Sequence, residues 1–409
     1  MKVIVVGAGI TGVATALNLI RRGFKVTLID RVQPGSPHQT SYGNAGLLAR
    51  SGIIPMSTPG LLKKIPKMLI DPESPLFVKW SYLPKLIPWL IPFIRSGSSD
   101  KIRALVHALD SLTNDTLEEH LRLAKSSGAE GYIHQGNFAY MYRGEKAFES
   151  DRIVREIKSD FGYKSKKINR SQIMKLDEHI SFRYNVASVF SDHGWITDPG
   201  SYLATIFRSY RAEGGEFIKG QVKNILRMKV HIENGEAISA SKIVIATGAW
   251  SDRFGPDLGF RTKIESERGY HIFFKGANRV PSFPMMVTDG KFIVTPMRGG
   301  FRCAGVVEFG GLEAPPSKAP VNLIRKKIKE FYEGLEYEEE ILWMGHRPST
   351  PDSLPLIGPV DGNPDIVCAF GGQHVGLTIG PKIGTLVTDL ISENRTNFDF
   401  SPFKPNRFN

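Results

Sequence analysis

The pattern of apolar positions changes period twice within the first thirty or so residues. Residues 2–6 (KVIVV) are a short β-branched apolar run, as a strand buried on both faces requires. Residues 10–22 then carry apolar positions at helical spacing, with Val13, Ala16, Leu17 and Ile20 on one side, until Gly23 stops the helix. Residues 25–30 (KVTLID) read as a second strand, which completes a βαβ unit. Further along, 100–126 and 320–333 have helical spacing. Residues near 132–142 and 268–307 read as strands, and 216–232 as short strands. Asp198 as N-cap, Pro199 in the first turn and Gly214-Gly215 at the end frame another helix.

Three glycines sit where the first strand turns into the helix, and each has its own task. Gly7 permits the tight turn. Gly9 lets backbone approach a pyrophosphate, and Gly12 lets helix pack close on strand. The first helical turn, with Ile10 and Thr11, offers free N–H groups and a partial positive charge to that phosphate. Asp30 ends the second strand, where a carboxylate can accept from ribose hydroxyls; its neighbour Arg31 softens its bias against a 2′-phosphate. This predicts a dinucleotide, without separating NAD from FAD.

Three later segments favour FAD. In QTSYGNAGLL (39–48), Ser41 and Asn44 can bond a pyrophosphate or ribityl chain, and the small residues through Gly46 and Leu47 leave room for a flat ring system. ASKIVIATGAWS (240–251) is a buried strand delivering Gly248 and Trp250 to the ligand crevice, and Val222 upstream can present its backbone to adenine. Residues 366–370 form a strand that runs into GGQHVGLTIGP and a helix to about residue 391. This second strand–glycine–helix element, with Gly372, Gly376, Leu377 and Thr378, suits the negative charge of a reduced isoalloxazine, for which a nicotinamide enzyme has no use.

Substrate chemistry points to WMGHRPSTPDSLPLIGP. Arg347 is followed by prolines that stiffen the segment, and a guanidinium offers a carboxylate two parallel N–H bonds. A structural pair with Asp352 is the competing role. In the strand-like ESERGYHIFF (265–274), Tyr270 and His271 alternate in direction, and Tyr270 is the one expected to face the flavin and share the carboxylate with Arg347. His374 is expected to line the same pocket, and His346 flanks Arg347.

The series GAGITG, TSYGNAG, HGWITDPGSYL, ATGAWS, GHRPSTPDSLPLIGP and GGQHVGLTIGP resembles the FAD-dependent D-amino-acid oxidase superfamily over essentially the whole chain, and within it most closely the bacterial D-amino-acid dehydrogenases. The resemblance implies that Arg347 anchors the α-carboxylate of a D-amino acid. It also implies hydride transfer from Cα to flavin N5, an imino acid released as a 2-oxo acid, and electrons passed to a respiratory acceptor such as a quinone or an electron-transfer protein. A secondary or N-methylated amine substrate, or an oxygen-using oxidase, are the alternatives. Asp30 stands where glutamate is frequent, and His346 where an apolar residue is. The expected fold is α/β: a discontinuous Rossmann-like FAD-binding domain (1–50, 186–262, 340–409) with a second α+β substrate domain on an antiparallel sheet (51–185, 263–339).

Composition adds less. The 409 residues suit two packed domains. The net charge of +12 favours anionic partners, but no basic stripe is interleaved with stacking aromatics, so nucleic acid is not expected. Cys303 and Cys368 lie apart in apolar runs, which predicts buried thiols in a cytoplasmic protein and no metal site. The first apolar run belongs to a βα unit, so no signal peptide is expected. LFVKWSYLPKLIPWLIPFIRSG is broken by Pro84, Pro88 and Pro92 and should not form a regular spanning helix. Its aromatic residues, flanked by Lys63, Lys64, Lys67, Lys79 and Lys85, suit either an irregular covering segment or peripheral contact with the cytoplasmic face of the inner membrane.

Overall fold

A computed structural model describes residues 1–61, 65, 68, 71 and 73–409; Lys63, Lys64 and Lys67 lie outside the described residues. Among the described residues, two large sheets and a three-stranded antiparallel one (Val222–Leu226, Lys229–Ile232, Ala237–Ser239) organise the chain. The first has six strands in the order Leu356–Val360, Asn363–Phe370, Lys242–Ile245, Lys2–Val6, Lys25–Asp30 and Glu216–Lys219. All its neighbours are parallel except the first pair, which is a hairpin. Helix Ile10–Arg21 crosses between the two N-terminal strands and packs against helix Gly376–Ile391. Small residues allow the close approach: a Cβ on Gly380 would meet Ile10 at 2.6 Å, and one on Gly384 would meet Ala14 at 2.9 Å. Both helices start at the carboxyl ends of parallel strands, so their free N–H groups open on the same crevice.

Helix Gly376–Ile391 contains Pro381, which cannot donate to the Leu377 carbonyl one turn back. His120 supplies that bond instead, with Nε2 3.0 Å from Leu377 O and 3.1 Å from Thr378 O. Burial brings the His120 imidazole down to about 4, so it serves as a neutral donor here.

The second sheet is larger and mostly antiparallel, with the order Glu339–Ser349, Glu265–Lys275, Gly300–Phe309, Phe292–Met297, Met285–Val287, Ile133–Tyr142, Val186–Ile196 and Leu47–Leu48. Helix Lys318–Phe331 covers one face and contributes Leu323, Ile324, Ile328 and Phe331 to a core with Ile272, Phe274 and Phe301. Two sequence expectations are corrected. Strands Val186–Ile196 and Glu339–Ser349, expected on the dinucleotide side, pair into this second sheet. Apolar alternation tells which face of a strand is buried but not which strand lies beside it. The proline-rich stretch also forms a helix, Leu83–Ser96, with Pro88 and Pro92 inside it. Pro84 falls in the first turn, where no N–H is needed, and the inner face is held by Leu86 and by Trp89, whose Nε1 donates to Ser349 O at 3.2 Å. Among the described residues no helix is long and apolar enough to cross a membrane. Cys303 and Cys368 are buried free thiols, and burial pushes both up.

Candidate active site

One cavity of about 810 Å³ runs from the first glycine turn to the face of the second sheet. At the end of the cavity nearest the first strand, Gly7 and Gly12 serve the turn and the helix packing. Gly7 has φ +102°, and a Cβ on Gly12 would sit 1.8 Å from Gly7 O, so Gly12 lies beneath the cavity as a packing residue. Gly9, Ile10 and Thr11 line the cavity. Asp30 accepts from the Ala8 N–H at 2.6 Å and the Val32 N–H at 3.1 Å, which fixes its carboxylate at the mouth. Gln39, which the sequence reading did not single out, is 7% exposed and ties Asp30 to the Ala8 carbonyl through one amide nitrogen (3.2 and 2.9 Å). Ser41 Oγ accepts from the Ile10 N–H at 3.1 Å and so caps the helix while keeping its own proton to donate.

The middle of the cavity is walled by the loop at 41–47. Asn44 Oδ1 accepts from Gly46 N–H at 2.9 Å, and Gly46, at φ +78°, turns the loop behind the wall, while Leu47 lines the cavity. Arg302 braces this loop from below by donating to Tyr42 O (3.0 Å) and Asn44 O (2.6 Å). It is 7% exposed, and burial lowers its guanidinium to about 10. Opposite stand Val222, Gly248 and Trp250, with the Arg31 guanidinium 4.1 Å from the Trp250 ring centroid. At the second helix start Gly372, Gly376 and Leu377 reach the cavity, as does Thr378, whose hydroxyl donates to Leu47 O at 3.1 Å. A Cβ on Gly9 would meet only Ser41 Oγ at 3.4 Å, and one on Gly376 or Gly248 would meet nothing within 4 Å. The cradle between the two helix starts is therefore shaped by absent side chains. It fits a long, flat, phosphate-bearing group such as FAD.

The substrate end is built by two paired strands. Glu267 stands directly across from Arg347, Gly269 from Gly345 and His271 from Trp343. Alternation puts these six on one face. The Arg347 guanidinium lies flat on Gly269, where a Cβ would come within 2.4 Å of Cζ. Arg347 Nη1 donates to Glu267 (2.8 Å) and Val306 O (2.9 Å), and Nη2 to Gly305 O (3.2 Å). Nε and one Nη2 proton take no partner among the described residues, which leaves two donors for a ligand. Asp352, the alternative partner of Arg347, pairs with Arg407 at 2.7 Å instead.

At the substrate end, Glu267 was missed by sequence reasoning. Its side chain is 3% exposed and touches Arg347, His374 Nε2 (2.5 Å) and Ser349 Oγ (3.1 Å). Burial alone would raise its carboxyl, but His374 and Arg347 outweigh that and hold it at about 2. His374 lines the cavity, and its Nδ1 is buried without a partner among the described residues. A signal for Glu267 existed: Glu-x-Gly in one strand and Gly-x-Arg in the next are complementary in antiparallel register.

Tyr270 is corrected. Part of it borders the cavity, but its hydroxyl points to the other face, where it donates to Glu308 and accepts from the Ser317 N–H at 3.0 Å. Burial and Glu308 push this phenol up to about 12. Tyr270 shares no ligand with Arg347. His271 holds the Arg347 face but is spent on Gly43 O (2.9 Å) and stacks on Trp343. His346 hydrogen-bonds Ser266 Oγ at 2.7 Å, and its ring meets Trp250 edge-on.

A mostly parallel sheet with helices on one face, two helix starts on one crevice and a cationic anchor at the far end define a flavin-dependent oxidoreductase. The chain belongs to the DAO family, FAD dependent oxidoreductase, whose model matches residues 2–390. It is 33% identical over 416 residues to a D-amino-acid oxidase of Bradyrhizobium diazoefficiens, covering 99% of this chain and 98% of the relative. It is 25% identical to a D-amino acid dehydrogenase of Helicobacter pylori, covering 98% of each. A glycine oxidase structure from Geobacillus kaustophilus has the same fold, with TM-score 0.74 at 19% identity over 100% of this chain and 99% of that one.

Proposed function

We propose that the protein oxidises a D-amino acid at its α-carbon. The observation that carries this reading is Arg347, which lines a cavity continuous with the cofactor cradle and keeps two donors without a partner among the described residues. Arg347 takes the α-carboxylate in a two-point grip, and the Gly269 surface sets its angle. FAD, when bound, supplies the two-electron acceptor for the Cα–H bond. The chain's own work is to bind, orient and desolvate the amino acid. The imino acid then leaves to hydrolyse to a 2-oxo acid and ammonia. The D preference rests on the names of both curated relatives. Anaerobic addition of D-alanine, D-proline and their L-forms to the flavin-loaded protein tests it. Bleaching by a D-form alone is expected, and bleaching by L-forms alone would reject it.

For the electrons, a respiratory acceptor is our first reading. The helix Leu83–Ser96 is apolar on both sides: Leu86 and Trp89 line the cavity, while Ile87 (48% exposed) and Ile91 (47%) face outward beside Trp80 (64%). Lys85 and Arg95 are also exposed on this helix, a combination that suits an anionic lipid surface. Co-sedimentation with anionic vesicles should fall severalfold in the Ile87→Glu, Ile91→Glu double variant; equal sedimentation would remove this face from the reading. The name of the 33% identical relative favours a second reading, direct use of oxygen. Reoxidation of the reduced flavin by oxygen, compared with a quinone, separates the two.

A further inference from the structure

Lysine side chains are almost never fully buried without a counter-charge, because the ammonium gives up its hydration. Lys158, on the helix Arg152–Asp160, departs from that rule. The residue is 3% exposed, and among the described residues no carboxylate lies within 4.0 Å of its Nζ. Among the described residues its one hydrogen bond goes to the Tyr140 hydroxyl at 2.8 Å, and it sits over the Tyr140 and Phe190 rings at 4.6 and 5.1 Å. Two of its three protons stay uncommitted.

Its position makes this more than a packing detail. Lys158 and Tyr140 line the same cavity as Arg347, together with Phe138, Met286, Ile293 and Lys291, which unlike Lys158 is exposed to solvent. The neighbouring His193 is brought down to about 4, first by burial and then by the nearby charges of Lys158 and Arg50. A cation in an apolar wall, facing ligand space without a protein anion, is half of an ion pair whose other half arrives with the ligand.

We propose that Lys158 is the receptor for a second carboxylate, carried on the side chain of the substrate, so that the cavity takes acidic D-amino acids by both ends. This rests on the assignment of the α-carboxylate to Arg347. Arg347 then fixes the reacting carbon, and Lys158, with Tyr140 orienting its ammonium, selects the length and charge of the side chain. The apolar residues between them suit a methylene stem.

The test uses the holoenzyme and acids that lack an amine, so that binding is read without turnover. Unbranched dicarboxylates from succinate to pimelate, and monocarboxylates of equal length, are titrated against the flavin absorption band. The proposal expects at least one dicarboxylate to bind about tenfold or more tightly than its monocarboxylate partner. Lys158→Met should reduce that ratio to near one, and Lys158→Arg should restore most of it. Equal binding of the two series to the unmodified protein overturns the proposal, as does a ratio that survives in Lys158→Met. If monocarboxylates bind and lose affinity in Arg347→Ala, failure belongs to the Lys158 site alone. If no acid of either series perturbs the flavin, the Arg347 assignment falls with it.

Discussion

Arg347→Ala is expected to raise KM for the amino acid steeply while the purified protein keeps its flavin. Truncating one partner of a buried charge pair costs about 2–5 kcal/mol, a loss of roughly thirty- to several-thousand-fold in kcat/KM. The flavin should stay because Arg347 lies at the second sheet, while the cradle is built from the glycine turns and the loop at 41–47. The variant also leaves Glu267 with only His374 opposite, so some stability goes with it. Gly269→Ala separates the two effects. It keeps both charges but drives a methyl within 2.4 Å of the guanidinium carbon, so Arg347 must move. KM should rise in that variant too. The measurement is steady-state kinetics with an artificial acceptor, alongside the flavin-to-protein absorbance ratio. Unchanged KM in both variants would take Arg347 out of the site.

The parts of this molecule that the sequence discloses are those whose reason is local. Gly7 and Gly12 are required by a turn and a packing contact inside one βαβ unit. The second sheet is different. Strands such as Glu265–Lys275 and Gly300–Phe309 are buried at nearly every position, and nothing in Val186–Ile196 or Glu339–Ser349 states which neighbour it pairs with, so both were expected in the wrong layer. The same limit misplaced Tyr270: alternation said that one of Tyr270 and His271 faces Arg347, and only the register with Trp343 says which. The helix Leu83–Ser96 hides behind its prolines, because one sits in the first turn and the next two are a turn apart, where tertiary packing of Leu86 and Trp89 outweighs the lost backbone bonds. Lys158 is illegible for a simpler reason. Its helix is short and mostly polar, so one more lysine looks solvated until the fold turns it inward.

Glu267→Gln should lower the melting temperature near neutral pH and flatten its fall in acid. The Glu267 carboxyl is held at about 2 in the folded protein, against an ordinary value of 4.5. A carboxyl lowered on folding stabilises the protein fully above its ordinary value, and that contribution drains away as pH falls through 4.5 towards 2. Wild type should therefore lose stability across that window, and the glutamine variant should have less to lose there. At pH 7 the variant starts lower, because Arg347 keeps its burial and loses its counter-charge. Breaking such a pair costs about 3 kcal/mol or more, and the amide oxygen recovers part of that by accepting one of the same bonds. Melting curves of the flavin-loaded protein between pH 3 and 7 are the check, with the Arg347→Ala variant as the complementary cut. Parallel curves for wild type and Glu267→Gln over the whole range would mean that Glu267 is not the charge that holds Arg347 and His374 in place. The Arg347 guanidinium would then owe its placement to the Gly305 and Val306 carbonyls alone.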